Sequence, residues 1–233
     1  MKIQSLGIIL TCLLGIAGSS NAQTQLTNQN LFDTISFMPE HYVQRVAVFK
    51  KQPVVTGKII FLGNSITEMG KWGKLLGDTT VINRGIGGDI TFGVLKRLDD
   101  VTRRKPSKLF LLIGINDIGK DIPDAVIANN VKKIILEISK KCPETKIYLE
   151  SILPVNPTLP KFPQHYDKQG HIISTNRLLV QVAQSTHCQF VNLYPLLLDN
   201  QKNFDRRYTL EGLHPNPKGF ELIVKYLKEK GCL

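Results

Sequence analysis

Five short apolar runs punctuate the chain: 58–63 (KIIFLG), 81–83 (VIN), 109–114 (LFLLIG), 146–151 (KIYLES) and 189–193 (QFVNL). They are rich in Ile, Leu, Val and Phe and show little polar alternation. That pattern suits strands covered on both faces of a parallel sheet. Between them the apolar positions fall at helical spacing. Residues 90–102 carry Phe92, Val94, Leu95, Leu98 and Val101, and residues 123–141 carry Val126, Ile127, Val131, Ile134, Ile135 and Ile138. Residues 172–185 and 219–230 complete the set, and 39–50 predict an extra helix ahead of the first strand, with Val43, Val46, Ala47 and Phe49 inward. Strand–helix alternation predicts an α/β fold: a three-layer α/β/α sandwich on a five-stranded parallel sheet with right-handed crossovers. No internal repeat or low-complexity tract interrupts it. The Pro-rich stretch 154–163 reads as a loop within one domain.

The N-terminus has a different pattern. Lys2 precedes an apolar run over 3–16, and small residues follow at 18–22, with Ser20 and Ala22 placed for a cut before Gln23. This predicts an export signal over 1–22 and a single domain over 23–233, in the periplasm or secreted. The run falls short of the roughly 20 residues a spanning helix needs, and no later stretch approaches that length. Cleavage removes Lys2 and no acid, so the net charge of +11 changes only to +10. It also removes Cys12, leaving Cys142, Cys188 and Cys232. Cys142 and Cys188 each precede an apolar run, so a bridge between them and inert thiols both remain open. The cysteine spacings match no zinc pattern, and no metal site is expected.

A length of 233 residues with 42% hydrophobic and 21% charged positions excludes a disordered tail, a collagen-like repeat and a disulfide-dense miniature scaffold. The basic balance points towards a polyanion partner. Its distribution does not support one. Lys50-Lys51, Arg103-Arg104-Lys105, Lys132-Lys133, Lys140-Lys141 and Arg206-Arg207 are scattered, mostly at helix ends or exposed helical positions. Aromatics are only 7%, and no helix-turn-helix, RNA-recognition or zinc-finger pattern occurs. Nucleic acid is therefore not an expected partner, and a non-catalytic glycan- or polyanion-binding module is a weaker reading than an enzyme.

Candidate chemistry collects where strands of an open parallel sheet end. Gly63-Asn64-Ser65 follows the first strand, where a sharp turn into a helix presents a serine. Asn83-Arg84-Gly85-Ile86-Gly87-Gly88-Asp89 follows the second, a glycine-rich turn with neither a Walker pattern nor a dinucleotide fingerprint. Gly114-Ile115-Asn116-Asp117 places a carboxamide after the third, and Glu211-Gly212-Leu213-His214 sets a carboxylate three residues before an imidazole near the C-terminus. Each segment alone is an ordinary turn or cap.

Together the four resemble the blocks of the SGNH, or GDSL-type, hydrolase superfamily, with Ser65, Gly88, Asn116 and His214 on its four named positions. The resemblance covers essentially the whole of 23–233. It implies a Ser65 nucleophile, a His214 general base, Glu211 as the orienting acid, and oxyanion donors from the Ser65 and Gly88 N–H groups and the Asn116 amide. It requires no cofactor. Two positions depart from the family pattern: Asn64 stands where Asp is usual, and Glu211 stands where a shorter Asp is usual. Asp205 is the alternative triad acid. The stretch 39–89, with FLGNSIT, Trp72 and NRGIGGD, is similar to compact esterases grouped with sialate O-acetylesterases and platelet-activating-factor acetylhydrolase subunits. That similarity implies removal of short acyl groups, chiefly acetyl, from a larger alcohol such as a glycan. Arg84 is then a candidate for a sugar carboxylate, or else a buried arginine beside Asp89 or Asp117. Asn156 and His165 of the loop after the fourth strand are candidate acceptor contacts, or ordinary loop residues. A lysophospholipase or thioesterase acting on lipid is the second enzyme reading. The oligomeric state is open.

Overall fold

The computed structural model describes residues 40–159 and 161–233; the expected export signal lies outside them. A five-stranded parallel sheet forms the centre: β1 (Ile59–Gly63), β2 (Ile82–Gly85), β3 (Lys108–Leu112), β4 (Lys146–Glu150) and β5 (Gln189–Val191), in the order β2-β1-β3-β4-β5. Strand order reverses direction between β1 and β3, and such a switch point opens a crevice at the carboxyl ends of the strands. The central strands are buried along most of their length because helices cover both faces.

The helices run α1 (Glu40–Lys51), α2 (Ser65–Met69), α3 (Trp72–Leu76), α4 (Thr91–Lys96), α5 (Leu98–Thr102), α6 (Ile115–Gly119), α7 (Asp124–Lys141), α8 (Gln169–Thr186) and α9 (Pro217–Glu229). The expected leading helix is α1, but of the four residues expected inward Phe49 is buried and Val46 half-buried, whereas Val43 and Ala47 are exposed. The helix buries Tyr42 and Phe49 against Ile86 and anchors through Tyr42 Oη, which donates to Gly93 O at 2.7 Å. The single helix expected over 90–102 is instead two, divided at Arg97, whose backbone leaves the helical region at φ −121°, ψ 16°. Apolar periodicity continues through the break, so the spacing gave no sign of it.

One face of the sheet carries a row of aromatic rings. Phe61, Phe110 and Tyr148 occupy matching positions on β1, β3 and β4 and stack with centroids 4.7 Å apart. Trp72 of α3 stacks on Phe61 at 3.9 Å and meets the edge of Phe220 of α9. Parallel in-register pairing sets identical positions side by side, so three such positions suffice to build the row. Cys142, Cys188 and Cys232 are free thiols. No helix among the described residues is long and apolar enough to cross a membrane.

Candidate active site

The chain leaves β1 at Gly63 and turns at once into α2. Asn64 makes that turn: it takes non-helical angles, and its Oδ1 accepts the Ile66 N–H at 3.0 Å, capping the helix. The amide thus serves the turn without a carboxylate's charge. Ser65 follows as the first helical residue, and its Oγ lies 2.8 Å from His214 Nε2. The other ring nitrogen of His214, Nδ1, is hydrogen-bonded to Glu211 Oε1, which also accepts the His214 backbone N–H at 3.2 Å.

The loop carrying this pair is tied down at several points. Thr209 Oγ1 accepts the Gly212 N–H and donates to His214 O, each at 2.9 Å. Tyr166 Oη donates to Glu211 O at 3.1 Å, and the Asn156 N–H donates to Gly212 O at 2.8 Å. Asp205, the alternative acid, is engaged elsewhere: both its oxygens accept from the Arg207 guanidinium, at 2.6–3.1 Å.

Gly88 is exposed at the crevice with φ +76°, a conformation that would strain any L side chain. Its turn is clasped from α2. Glu68, one helical turn beyond Ser65, accepts the Gly87 N–H at 2.5 Å and is itself paired with His41 and Arg45 of α1 at 3.0 Å. Close approach of α2 to β2 depends on Gly85, where an added Cβ would lie 2.1 Å from the Glu68 nitrogen. Asn83 Nδ2 completes the join by donating to the carbonyls of Thr67, Glu68 and Gly70. Asn116 stands in the first turn of α6 across the switch point. Its Nδ2 donates to Asp89 O at 2.9 Å, leaving the second amide hydrogen as a donor for a bound oxygen. Ser65, His214 and Glu211 are therefore joined by hydrogen bonds, and Asn116 is tied to the residue after Gly88, on segments that follow β3 and β2, the two strands flanking β1.

A buried polar layer lies beneath it. Asp89 pairs with Arg97 at 2.8 Å, yet burial outweighs the guanidinium and pushes its carboxyl up to about 6. Asp117 accepts the Thr91 N–H at 3.0 Å and the Thr91 hydroxyl at 2.6 Å; burial pushes it up to about 7 despite those donors. Among the described residues, no group of three His, Cys, Asp or Glu side chains is placed to hold a metal ion.

Of the three expected substrate contacts, Arg84 and Asn156 are committed elsewhere, and His165 is buried near His214. Arg84 is buried, with its Nε on Asp100 at 2.6 Å, Nη1 on Asn83 O at 3.0 Å, and its guanidinium 4.4 Å above the Phe49 ring. That corrects the sugar-carboxylate reading in favour of the buried structural arginine, although its partner is Asp100 and not Asp89 or Asp117. Asn156 is also buried, its amide donating to Phe204 O and accepting from Thr158. It organises the loop and presents nothing to a ligand. His165 is buried against Gly119 and Phe162 with both ring nitrogens unpartnered, and burial, then the nearby His214 and Lys120, pushes its imidazole down to about 4. Sequence reasoning missed Phe162, which is half-buried and packs edge-on against the His214 ring at 5.5 Å. It also missed Glu68. A carboxylate at i+3 from a candidate nucleophile on a predicted helix was the one available signal for the latter.

A protein-family model for the GDSL-like lipase/acylhydrolase family matches residues 61–222. The chain belongs to that family of ester hydrolases. A solved structure provisionally described as a platelet activating factor from Streptococcus pneumonia shares 31% identity, with 91% of this chain and 99% of that one covered and a TM-score of 0.74. A GDSL-like lipase from Bacteroides thetaiotaomicron is 24% identical, covering 82% of this chain and 98% of its own, with a TM-score of 0.69. An acetylxylan esterase from Geobacillus stearothermophilus shares the fold at 19% identity and a TM-score of 0.61, with 77% of this chain and 97% of that one covered. No curated protein matches the sequence.

Proposed function

We propose that this chain is an exported serine esterase that removes short acyl groups, chiefly O-acetyl, from carbohydrate. The observation that carries the chemistry is the Ser65–His214–Glu211 chain of hydrogen bonds at the switch-point crevice. Ser65 Oγ attacks the ester carbonyl while His214 Nε2 takes its proton. Glu211 holds Nδ1–H and stabilises the imidazolium that forms. The tetrahedral oxyanion is received by the Ser65 and Gly88 N–H groups and the free Asn116 amide hydrogen. His214 then returns the proton to the leaving alkoxide, and water repeats the cycle to release the acid and restore Ser65.

Three things support a short acyl group on a sugar: the sequence similarity to compact acetylesterases, the fold shared with an acetylxylan esterase, and the half-buried Phe162 beside His214. An aromatic wall next to the base is the kind of surface on which an acceptor ring packs. The buried Arg84 removes the reason to single out sialic acid. One observation favours the lipid reading instead. A cleft of about 610 Å³ lies beside the His214 loop, with Met69, Leu75, Leu210 and Phe220 on its apolar part and Lys71, Lys74 and Glu221 also lining it. Acetate release from acetylated xylan oligomers, pectic fragments and sialosides, compared with Ser65→Ala, tests the first reading. Turnover of p-nitrophenyl acetate against the decanoate ester separates the two, because a strong preference for decanoate would overturn the acetylesterase assignment. Near-full turnover by Ser65→Ala would overturn the mechanism itself.

A further inference from the structure

Arg97 is out of place by every local rule. It interrupts a continuous apolar helical pattern, breaks the helix at its own position, and buries a guanidinium with only 3% of its side chain exposed. A buried ion pair is weak evidence of stabilisation, since well-packed apolar residues often do as well. The contacts of Arg97 are nevertheless specific. Its Nε and Nη2 both reach Asp89 Oδ2, at 2.9 and 2.8 Å. Nη1 donates to Arg84 O at 2.8 Å, and Nη2 donates to Gly63 O at 2.9 Å.

Each acceptor belongs to a different wall of the crevice. Gly63 is two residues before Ser65. Arg84 lies on β2, from which the Gly85–Asp89 turn departs. Asp89 follows Gly88 in the chain, and its own carbonyl takes one hydrogen of the Asn116 amide. Asp89 therefore touches both remote oxyanion donors, one through the chain and one through a hydrogen bond, and Arg97 fixes Asp89 to the end of β1, two residues before Ser65. A rigid, planar fork of five donors can hold three such acceptors in a fixed relation, which a lysine ammonium cannot.

We propose that Arg97 and Asp89 form a positioning unit that sets the Gly88 N–H and the Asn116 amide relative to Ser65. The inference rests on the serine-esterase reading above. Neither residue touches substrate; the pair acts by holding donors at the place where the oxyanion will form, and donors of that kind act by being organised in advance.

The test measures kcat and KM for p-nitrophenyl acetate per active site, with sites counted by complete fluorophosphonate labelling and mass spectrometry. Arg97→Lys keeps the charge and loses the fork. Asp89→Asn/Arg97→Gln replaces both partners by neutral groups of similar size and serves if the single variant does not fold. Arg104→Lys is the control: Arg104 is equally buried and also clamps carbonyls, of Phe49, Gln52 and Pro53, but away from the crevice. Loss of one oxyanion donor costs roughly 10²–10³ in rate, so misplacing donors by loosening their support is expected to lower kcat per site by about 10–100-fold with KM within about threefold. Arg104→Lys is expected to lower Tm and keep kcat per site within about twofold. When Arg97→Lys is combined with Asn116→Ala, the loss should fall short of the product of the single losses by about threefold or more, because the two act on one feature and only the Gly88 part of the Arg97 effect remains.

A per-site kcat within twofold of wild type, a loss carried by KM, or multiplicative effects with Asn116→Ala would overturn the proposal. Turnover retained by Ser65→Ala would instead overturn the esterase reading on which it stands.

Discussion

The contact between Glu211 and His214 makes a graded prediction. In the Ser-His-Asp triad of serine proteases an amide replacement of the acid traps the wrong imidazole tautomer, at a cost of about 10⁴ in kcat. Here one oxygen, Oε1, receives both the Nδ1–H and the His214 backbone N–H. The carbonyl oxygen of a glutamine can take both donors, so Glu211→Gln keeps the tautomer and loses only the charge. Unit charges 4 Å apart interact by about 4 kcal/mol at an effective dielectric of 20. Both side chains are 12% exposed, and the retained amide dipole supplies part of that interaction. A net loss of about 2–3 kcal/mol follows, or roughly 30–150-fold in kcat. Glu211→Ala removes the acceptor as well and should fall by about 10³–10⁴. Glu211→Asp retracts the carboxylate by one C–C bond, about 1.5 Å, and should lie between wild type and Glu211→Ala. Asp205→Asn should retain activity within about threefold, since its carboxylate serves Arg207. Steady-state hydrolysis of p-nitrophenyl acetate, with Ser65→Ala as the floor, ranks the series. Glu211→Ala within threefold of wild type, or Asp205→Asn at the floor, would refute the assignment of the acid.

Three further outcomes follow from the site and the core. Asn116→Ala should lower kcat by about 10²–10³ with a small change in KM, and a loss confined to KM would count against an oxyanion role. Gly88→Ala places a side chain at φ +76°; it should cost about 1–2 kcal/mol in urea unfolding and lower kcat, whereas unchanged stability would deny the strained turn. Burial raises the Glu150 carboxyl from 4.5 to about 8. The folded chain therefore holds this proton while the unfolded chain has already released it, so stability falls as pH rises from about 5 through 8. Glu150→Gln should flatten the Tm profile between pH 5 and 8, and a parallel profile would refute the buried acid.

Legibility differed between the sheet and the site. The central strands β1, β3 and β4 were visible because strands buried on both faces are apolar along most of their length. β2 showed only its first two residues, Arg84 and Gly85 having read as turn. The helical period marked α1, α7, α8 and α9. The short helices α3 and α6 were not visible, since five residues are too few to display a period, and α2 was expected only as the turn into a helix after the first strand. The break at Arg97 was hidden because the apolar period runs through it, and the bonds its side chain makes to carbonyls of β1 and β2 are a relation no local window contains. The same division holds in the crevice. Ser65, Asn116 and His214 sit at strand or loop ends where chemistry is expected, and order along the chain identified them. Arg84 and Asn156 share those ends, but their partners, Asp100 and Phe204, lie 16 and 48 residues away. Nothing in the sequence distinguished a polar side chain turned inward from one turned to a ligand.

The aromatic row gives the molecule an optical reporter of its own. Trp72 is the only tryptophan in the chain. Its indole N–H donates to Thr67 O, two residues beyond the serine, at 2.8 Å, while its ring lies flat on Phe61. Emission excited at the indole band therefore comes from one place, the seam between the nucleophile's helix and the sheet. A red shift in that emission that precedes the loss of far-ultraviolet ellipticity during denaturation would mark the serine-bearing segment as releasing before the sheet. Coincident transitions would mark the two as a single cooperative unit.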